Sequence, residues 1–307
     1  MKILSKYLFA LSGLMFVIAA GLYLSGNIDM SGTPLILFFV TLALGMRGTK
    51  NLKGFSFTVL IFAAVSLSLY YPQTFVQWGD FQLKKLIVPL LQIIMFGMGT
   101  AMSFNDFYGV IKMPKGVLVG LICQFSIMPF LGFSLATLFN FPAEIAAGVV
   151  LIGSSPSGLA SNVMAYLAKA NVALSVTLTA VATVVAPFMT PLLMKYFAGS
   201  FVPIDFVAMM LSIVKMVILP VLLGLVFNHF FHGKAKWLDK AMPVVSMTAI
   251  ALIIVIITAA GRDSLLTIGI LLIVAAIIHN LMGYLLGYWG CRLLKMGEQD
   301  CRTIALE

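Results

Sequence analysis

From Gly153 to Asn162 the chain reads GSSPSGLASN, placing four Ser, two Gly and one Pro inside a sequence that is 62% hydrophobic. Backbone groups left unsatisfied at membrane depth are costly, so irregular backbone survives there only when protein buries it or when it lines a wet cavity. Pro156 removes a backbone donor and its ring clashes with the preceding helical turn. The stretch therefore demands a broken helix, and it demands partners for the groups that the break sets free.

Composition sets the surroundings of that break. Charged residues make up 9% of the 307 and the mean hydropathy is +1.10, against about 25% charged residues in a soluble domain. The fold class is an all-α polytopic membrane protein. The net charge of +9 does not point to nucleic acid, because the bases recur in the short gaps between apolar runs, as in membrane topology. Cys123, Cys291 and Cys301 make no disulfide framework and read as core or interfacial thiols. A membrane serine protease is excluded on spacing: Gly153-Ser154-Ser155-Pro156-Ser157-Gly158 misses G-x-S-x-G, its second Gly coming one residue late.

Apolar runs near the 20 residues needed to cross a bilayer fall at about 7–25, 34–46, 55–71, 86–103, 116–138, 144–168, 171–194, 206–228, 243–260 and 264–291. An eleventh begins near Thr303. The run from Tyr7 to Leu24 is longer than a signal-peptide core, so it is expected to stay as a span. The short run 34–46 is kept because Arg47, Lys50 and Lys53 belong on the side of Lys2 and Lys6. With the N-terminus cytoplasmic, fourteen Lys and Arg fall in inside loops and four, Lys84, Lys85, Lys195 and Arg262, in outside loops, a bias that sets orientation in the cell membrane.

Polar groups at mid-span mark the candidates. Ser175 and Thr179 stand i, i+4 and share a helical face, and Ser161 and Asn162 follow the break. Hydroxyls, amide carbonyls, freed backbone carbonyls and a carboxylate are what a hard cation such as Na⁺ takes, and Glu307 supplies a carboxylate inside an apolar run. The same Ser and Thr also serve as hydrogen-bonding glue between membrane helices. Gln124 is a ligand or a tie between helices; Gln92, His279 and Asn280 read as ties; Glu144 suits the positive end of its helix. Broken helices at mid-membrane are also how secondary transporters build ion and substrate sites. The alternative is a membrane sensor or scaffold that transports nothing.

SGLASNVMAYLAKANVALSVTLT, with FGMG at Phe96–Gly99 and the late Glu307, resembles the bile acid:sodium symporter (BASS) family, from about residue 55 onward. The resemblance implies ten spans in two inverted repeats of five, a panel and a core, with two broken spans crossing near two sodium sites. It implies a first Na⁺ on Ser161, Asn162, Ser175, Thr179 and Glu307, and a second on Gln124, Glu307 and residues beyond Glu307. Bacterial members often carry Pro-Gly-Gly-Thr where this chain has Pro156-Ser157-Gly158-Leu159, so Ser157, Gly158 and Leu159 are expected on the substrate side. Residues 1–54, with two spans, lie outside the resemblance.

The implied function is sodium-coupled symport of an organic anion, such as a bile acid or small carboxylic acid, across the bilayer, with no enzymatic activity. A span begun at Thr303 cannot cross in five residues, so the natural polypeptide is expected to continue. The 307-residue chain is then expected to lack Na⁺-driven accumulation, and Glu307 to lack a buried partner.

Overall fold

A computed structural model describes residues 2–49, 52–231 and 236–307. In chain order the helices are α1 (Lys2–Leu24), α2 (Ile28–Arg47), α3 (Ser56–Tyr70), α4 (Gln73–Val76), α5 (Ile87–Ala101), α6 (Phe104–Lys112), α7 (Pro114–Leu138), α8 (Ala143–Ser154), α9 (Leu159–Leu167), α10 (Val172–Leu193), α11 (Phe206–Ile213), α12 (Leu219–Phe231), α13 (Lys236–Ala260), α14 (Arg262–Leu293) and α15 (Glu298–Leu306). A two-residue hairpin, β1 (Gln77–Trp78) and β2 (Phe81–Gln82), is the sheet among the described residues. Nine described helical stretches are long and apolar enough to cross a bilayer, which makes this an all-α polytopic membrane protein.

Nine of the ten expected spans correspond to these stretches. The tenth, 144–168, is two short helices, α8 and α9, separated at residues 155–158 as the Ser/Gly/Pro sequence requires. The run expected at 34–46 is longer, covering Ile28–Arg47. Pro34 lies inside α2, and the polar segment Asp29–Thr33 belongs to its first turns. Sequence hydropathy hides those turns because their polar groups are used: Ser31 Oγ lies 2.9 Å from the Tyr70 hydroxyl and Thr33 Oγ1 2.7 Å from that of Tyr71.

The chain folds as two compact units, residues 1–94 with 240–268, and residues 95–239 with 269–307. In the first, α2 packs between α1 and α3. Ser5 donates to the Gly45 carbonyl at 2.7 Å and Ser56 to that of Ala43 at 2.9 Å. A ladder of rings, Phe16–Phe38, Phe38–Phe39 and Phe39–Phe62, runs through the same three helices with centroids 4.8–5.8 Å apart.

The second unit holds the functional candidates. One close helix approach joins α5 and α12: a methyl added at Gly99 would land on the Val221 carbonyl, and one at Gly224 on that of Phe96. Small residues let membrane helices approach this closely, which accounts for Gly99 of FGMG. Elsewhere Val117, Leu174, Leu178, Cys291, Cys301 and Ile304 form one buried cluster, seating α15 against α7, α10 and α14. The three thiols are free; Cys291 and Cys301 are buried and Cys123 is half-buried, as expected of core thiols.

Candidate functional site

At the break, Ser155 and Gly158 take extended backbone between the last turn of α8 and the first of α9. Three carbonyls around it are claimed. Ser154 O accepts from Thr190 Oγ1 on α10 at 2.7 Å, and Ser155 O from Gln124 Nε2 on α7 at 3.3 Å. Gly158 O accepts both the amide of Ser161, at 3.0 Å, and its hydroxyl, at 2.7 Å. Irregular backbone is thus tolerated here because neighbouring helices satisfy it.

Beside the break, α9, α10 and α15 bring Ser161, Asn162, Ser175, Thr179 and Glu307 into one cluster. Ser175 lies 2.7 Å from Asn162 Oδ1 and also donates to Glu307 Oε1. Thr179 lies 3.4 Å from Asn162 Oδ1 and 3.2 Å from Glu307 Oε2. Ser161 reaches Glu307 Oε1 at 2.9 Å. Ser175 is fully buried and Thr179 is 2% exposed. Their shared helical face, legible as the i, i+4 spacing, is turned to the carboxylate.

One expectation needs correction, and one residue gains a contact. Ser157, expected on the substrate side, donates to Glu307 Oε2 and lies 3.4 Å from Thr179 Oγ1. Glu307, expected to lack a buried partner, has four hydroxyl partners. Spacing alone concealed Ser157, because the extended backbone after Pro156 decides which way it faces. Gly158 is exposed at the α9 N-terminus, and the side chain of Leu159 lies outside the described residues.

Proton supply gives the cluster its chemistry. Four hydroxyl protons, from Ser157, Ser161, Ser175 and Thr179, serve eight close oxygen–oxygen contacts. With an ionised carboxylate, half of those contacts lack a proton. Among the described residues no Lys or Arg pairs with Glu307. Glu307 is half-buried, and a carboxylate so placed without a counter-charge favours a proton or a cation beside it; an oxygen-rich shell of hydroxyls, an amide carbonyl and a carboxylate is the donor set for a hard cation.

Gln124 and Glu307 line one cavity. Gln124 is 5% exposed, and its Oε1 is one of two buried side-chain oxygens without a hydrogen-bond partner among the described residues. The cavity, of about 100 Å³, lies between α7, α14 and α15, lined among others by Gln124, Asn280 and Glu307. Cavities that hold drug-sized ligands begin near ~300 Å³, so this one has the scale of an ion with water. The expected ties are met in part. His279 Nε2 lies 2.9 Å from the Met128 carbonyl and joins α14 to α7, whereas Asn280 donates to Ala276 of its own helix at 3.0 Å. Glu144 lies in the first turn of α8, as suits its charge.

Residues 88–268 match the sodium bile acid symporter family. An uncharacterized sodium-dependent transporter, YocS of Bacillus subtilis (strain 168), is 39% identical over 85% of this chain and 80% of its own length. The probable chloroplastic sodium/metabolite cotransporter BASS1 of Arabidopsis thaliana is 33% identical over 82% of this chain, and the ileal sodium/bile acid cotransporter of Homo sapiens 35% over 73%. The chain spans 62% and 66% of the length of these last two relatives. The members so named are transporters rather than enzymes, and with this match over most of its length the chain belongs to the sodium bile acid symporter family.

Proposed function

We propose that the chain is the ion- and substrate-binding part of a sodium-coupled symporter of an organic anion. The observation that supports this most is the Glu307 carboxylate, held by four hydroxyls and, among the described residues, no basic side chain. In this reading one Na⁺ is held by Ser161, Asn162, Ser175, Thr179 and Glu307, with Ser157 completing the shell. A second is held by Gln124 and Glu307, where the unpartnered Oε1 of Gln124 supplies an oxygen.

Three helices contribute to the first ion, so binding it joins α9 and α15 to the fixed face of α10. The N-terminus of α9 at Gly158 carries no side-chain cap, and its free amides and positive dipole end suit a carboxylate of the substrate. Na⁺ that orders α9 thereby raises the affinity for the anion, and the anion raises that for Na⁺ by the same factor. The orientation proposed is N-terminus inside, from the distribution of Lys and Arg.

Thermal stability of the purified chain, measured across a panel of organic acids in Na⁺ and in K⁺ buffers, tests the function. One class of anion is expected to stabilise the chain in Na⁺ and not in K⁺. Stabilisation by anions that is indifferent to the cation contradicts coupling, and a chain deaf to both returns it to the sensor or scaffold class.

A further inference from the structure

One helical turn before Glu307 stands Thr303, which is fully buried and whose hydroxyl makes no hydrogen bond to the carboxylate shell among the described residues. Its hydroxyl oxygen accepts the Asn171 amide at 2.9 Å. The same hydroxyl lies 3.1 Å from the Asn171 carbonyl and 3.0 Å from that of Gln299. Asn171 is the N-cap of α10, its Oδ1 accepting the Leu174 amide at 3.1 Å, while its Nδ2 donates to Asp300 Oδ1 at 2.8 Å. The polar groups of Asn171 are therefore committed to starting α10 and to holding α15, with Nδ2 also 3.6 Å from Met113 Sδ.

These contacts repeat at one-turn spacing. Asn171 lies four residues before Ser175, as Thr303 lies four residues before Glu307. The Ser175 amide bonds the Asn171 carbonyl at 3.1 Å and the Glu307 amide that of Thr303, also at 3.1 Å. The pairs Asn171–Thr303 and Ser175–Glu307 are thus consecutive rungs between two helices running side by side in the same direction. A slip of one residue on α15 moves its side chains by about 1.5 Å along the axis and about 100° around it, which would take the carboxylate out of the shell.

We propose that Asn171 and Thr303 form a register clamp: they are positioning residues that set Glu307 against Ser175 and Thr179 without ligating an ion. The clamp rests on the reading of the shell as a Na⁺ site. It accounts for why the Thr303 hydroxyl is buried against the backbone amide and carbonyl of Asn171, 132 residues away and one turn below the carboxylate.

The test uses the full chain in detergent and reads the Na⁺ concentration for half-maximal thermal stabilisation, with K⁺ balancing ionic strength. Thr303→Val keeps the shape and deletes the hydroxyl, and it is expected to raise that concentration about tenfold, the scale of one buried hydrogen bond. Thr303→Ser restores the hydroxyl and is expected within about twofold of wild type. Thr177→Val is the control for lost stability. Its hydroxyl is also buried on α10 but bonds the Asp106 and Ala173 carbonyls, and its Na⁺ midpoint is expected to stay at the wild-type value. Should Thr303→Val fail to fold, Asn171→Ser keeps an N-cap and loses the bond to Asp300, with a rise of about threefold expected.

A wild-type midpoint in the folded clamp variant, or an equal rise in Thr177→Val, overturns the clamp. Ser175→Ala separates the two layers of the argument. If it shifts the midpoint while the clamp variants do not, the clamp falls and the Na⁺ site stands; if it does not shift the midpoint, the Na⁺ site itself falls.

Discussion

Hydroxyl side chains line α2 and α3 of the first unit as they line α9 and α10 of the second, but their protons go to different acceptors. Thr41 donates to the Leu37 carbonyl at 2.7 Å, Ser66 to that of Phe62 at 2.8 Å and Ser68 to that of Val65 at 2.9 Å, each within its own helix. Ser157, Ser161, Ser175 and Thr179 converge instead on one carboxylate. In the first unit these three protons stay with neutral carbonyls of their own helices, Thr41 and Ser68 each lying near two. In the second, four protons face a carboxylate that no Lys or Arg pairs among the described residues, and in the proposed reading a cation joins them. Ser and Thr content does not distinguish a site from helix packing; where the protons go does.

The sharpest way to break that comparison is to remove the acceptor. Glu307→Ala is expected to weaken the Na⁺ response by about 100-fold or more, since a charge-assisted ligand is lost and four hydroxyls are left to bond one another. An unaltered midpoint in the folded variant means that the carboxylate does not serve the ion. Thr179→Ala removes one neutral oxygen, and a loss of about 1–3 kcal/mol corresponds to roughly 5- to 150-fold in Na⁺ affinity. Equilibrium binding of Na⁺ to the folded variant measures it, and wild-type affinity removes Thr179 from the ligand set.

Gln124→Leu sharpens the account of the second ion. If Oε1 is a ligand, the concentration dependence of Na⁺ becomes less steep while the first site keeps its affinity to within about tenfold. If Gln124 only ties α7 to the break, through its bond to Ser155, the steepness is unchanged and thermal stability alone falls. The smallest effect is expected in the first unit. Ser66→Ala deletes a bond within its own helix, so stability should change by less than about 1 kcal/mol and the Na⁺ midpoint not at all. A shifted midpoint there would erase the distinction between the two sets of hydroxyls.

Much of this arrangement is legible in the sequence, because each part has a local cause. Apolar run length marks the spans, Pro156 with its Ser and Gly neighbours marks the break, and the i, i+4 spacing of Ser175 and Thr179 puts two oxygens on one face. What escaped reading depends on partners distant in sequence. The first turns of α2 look polar until Tyr70 and Tyr71 are placed beside Ser31 and Thr33. Nothing local says that the extended backbone turns Ser157 to Glu307. Asn171 has the residue type of a helix N-cap and Thr303 lies one turn before Glu307, but nothing local states that they meet. The π turns at 194–198 and 214–218 follow from no single residue; Pro187 and Pro191 precede the first.

The central claim is that the hydroxyl and carboxylate oxygens of α9, α10 and α15 bind sodium. Equilibrium binding of radioactive ²²Na⁺ to the purified 307-residue chain, competed with unlabelled Na⁺ or K⁺ and repeated with Ser175→Ala, tests it most directly. The account predicts saturable binding that Na⁺ displaces, that K⁺ displaces only at far higher concentration, and that Ser175→Ala weakens. Binding that K⁺ displaces as well as Na⁺ does, or that Ser175→Ala leaves intact, would contradict it.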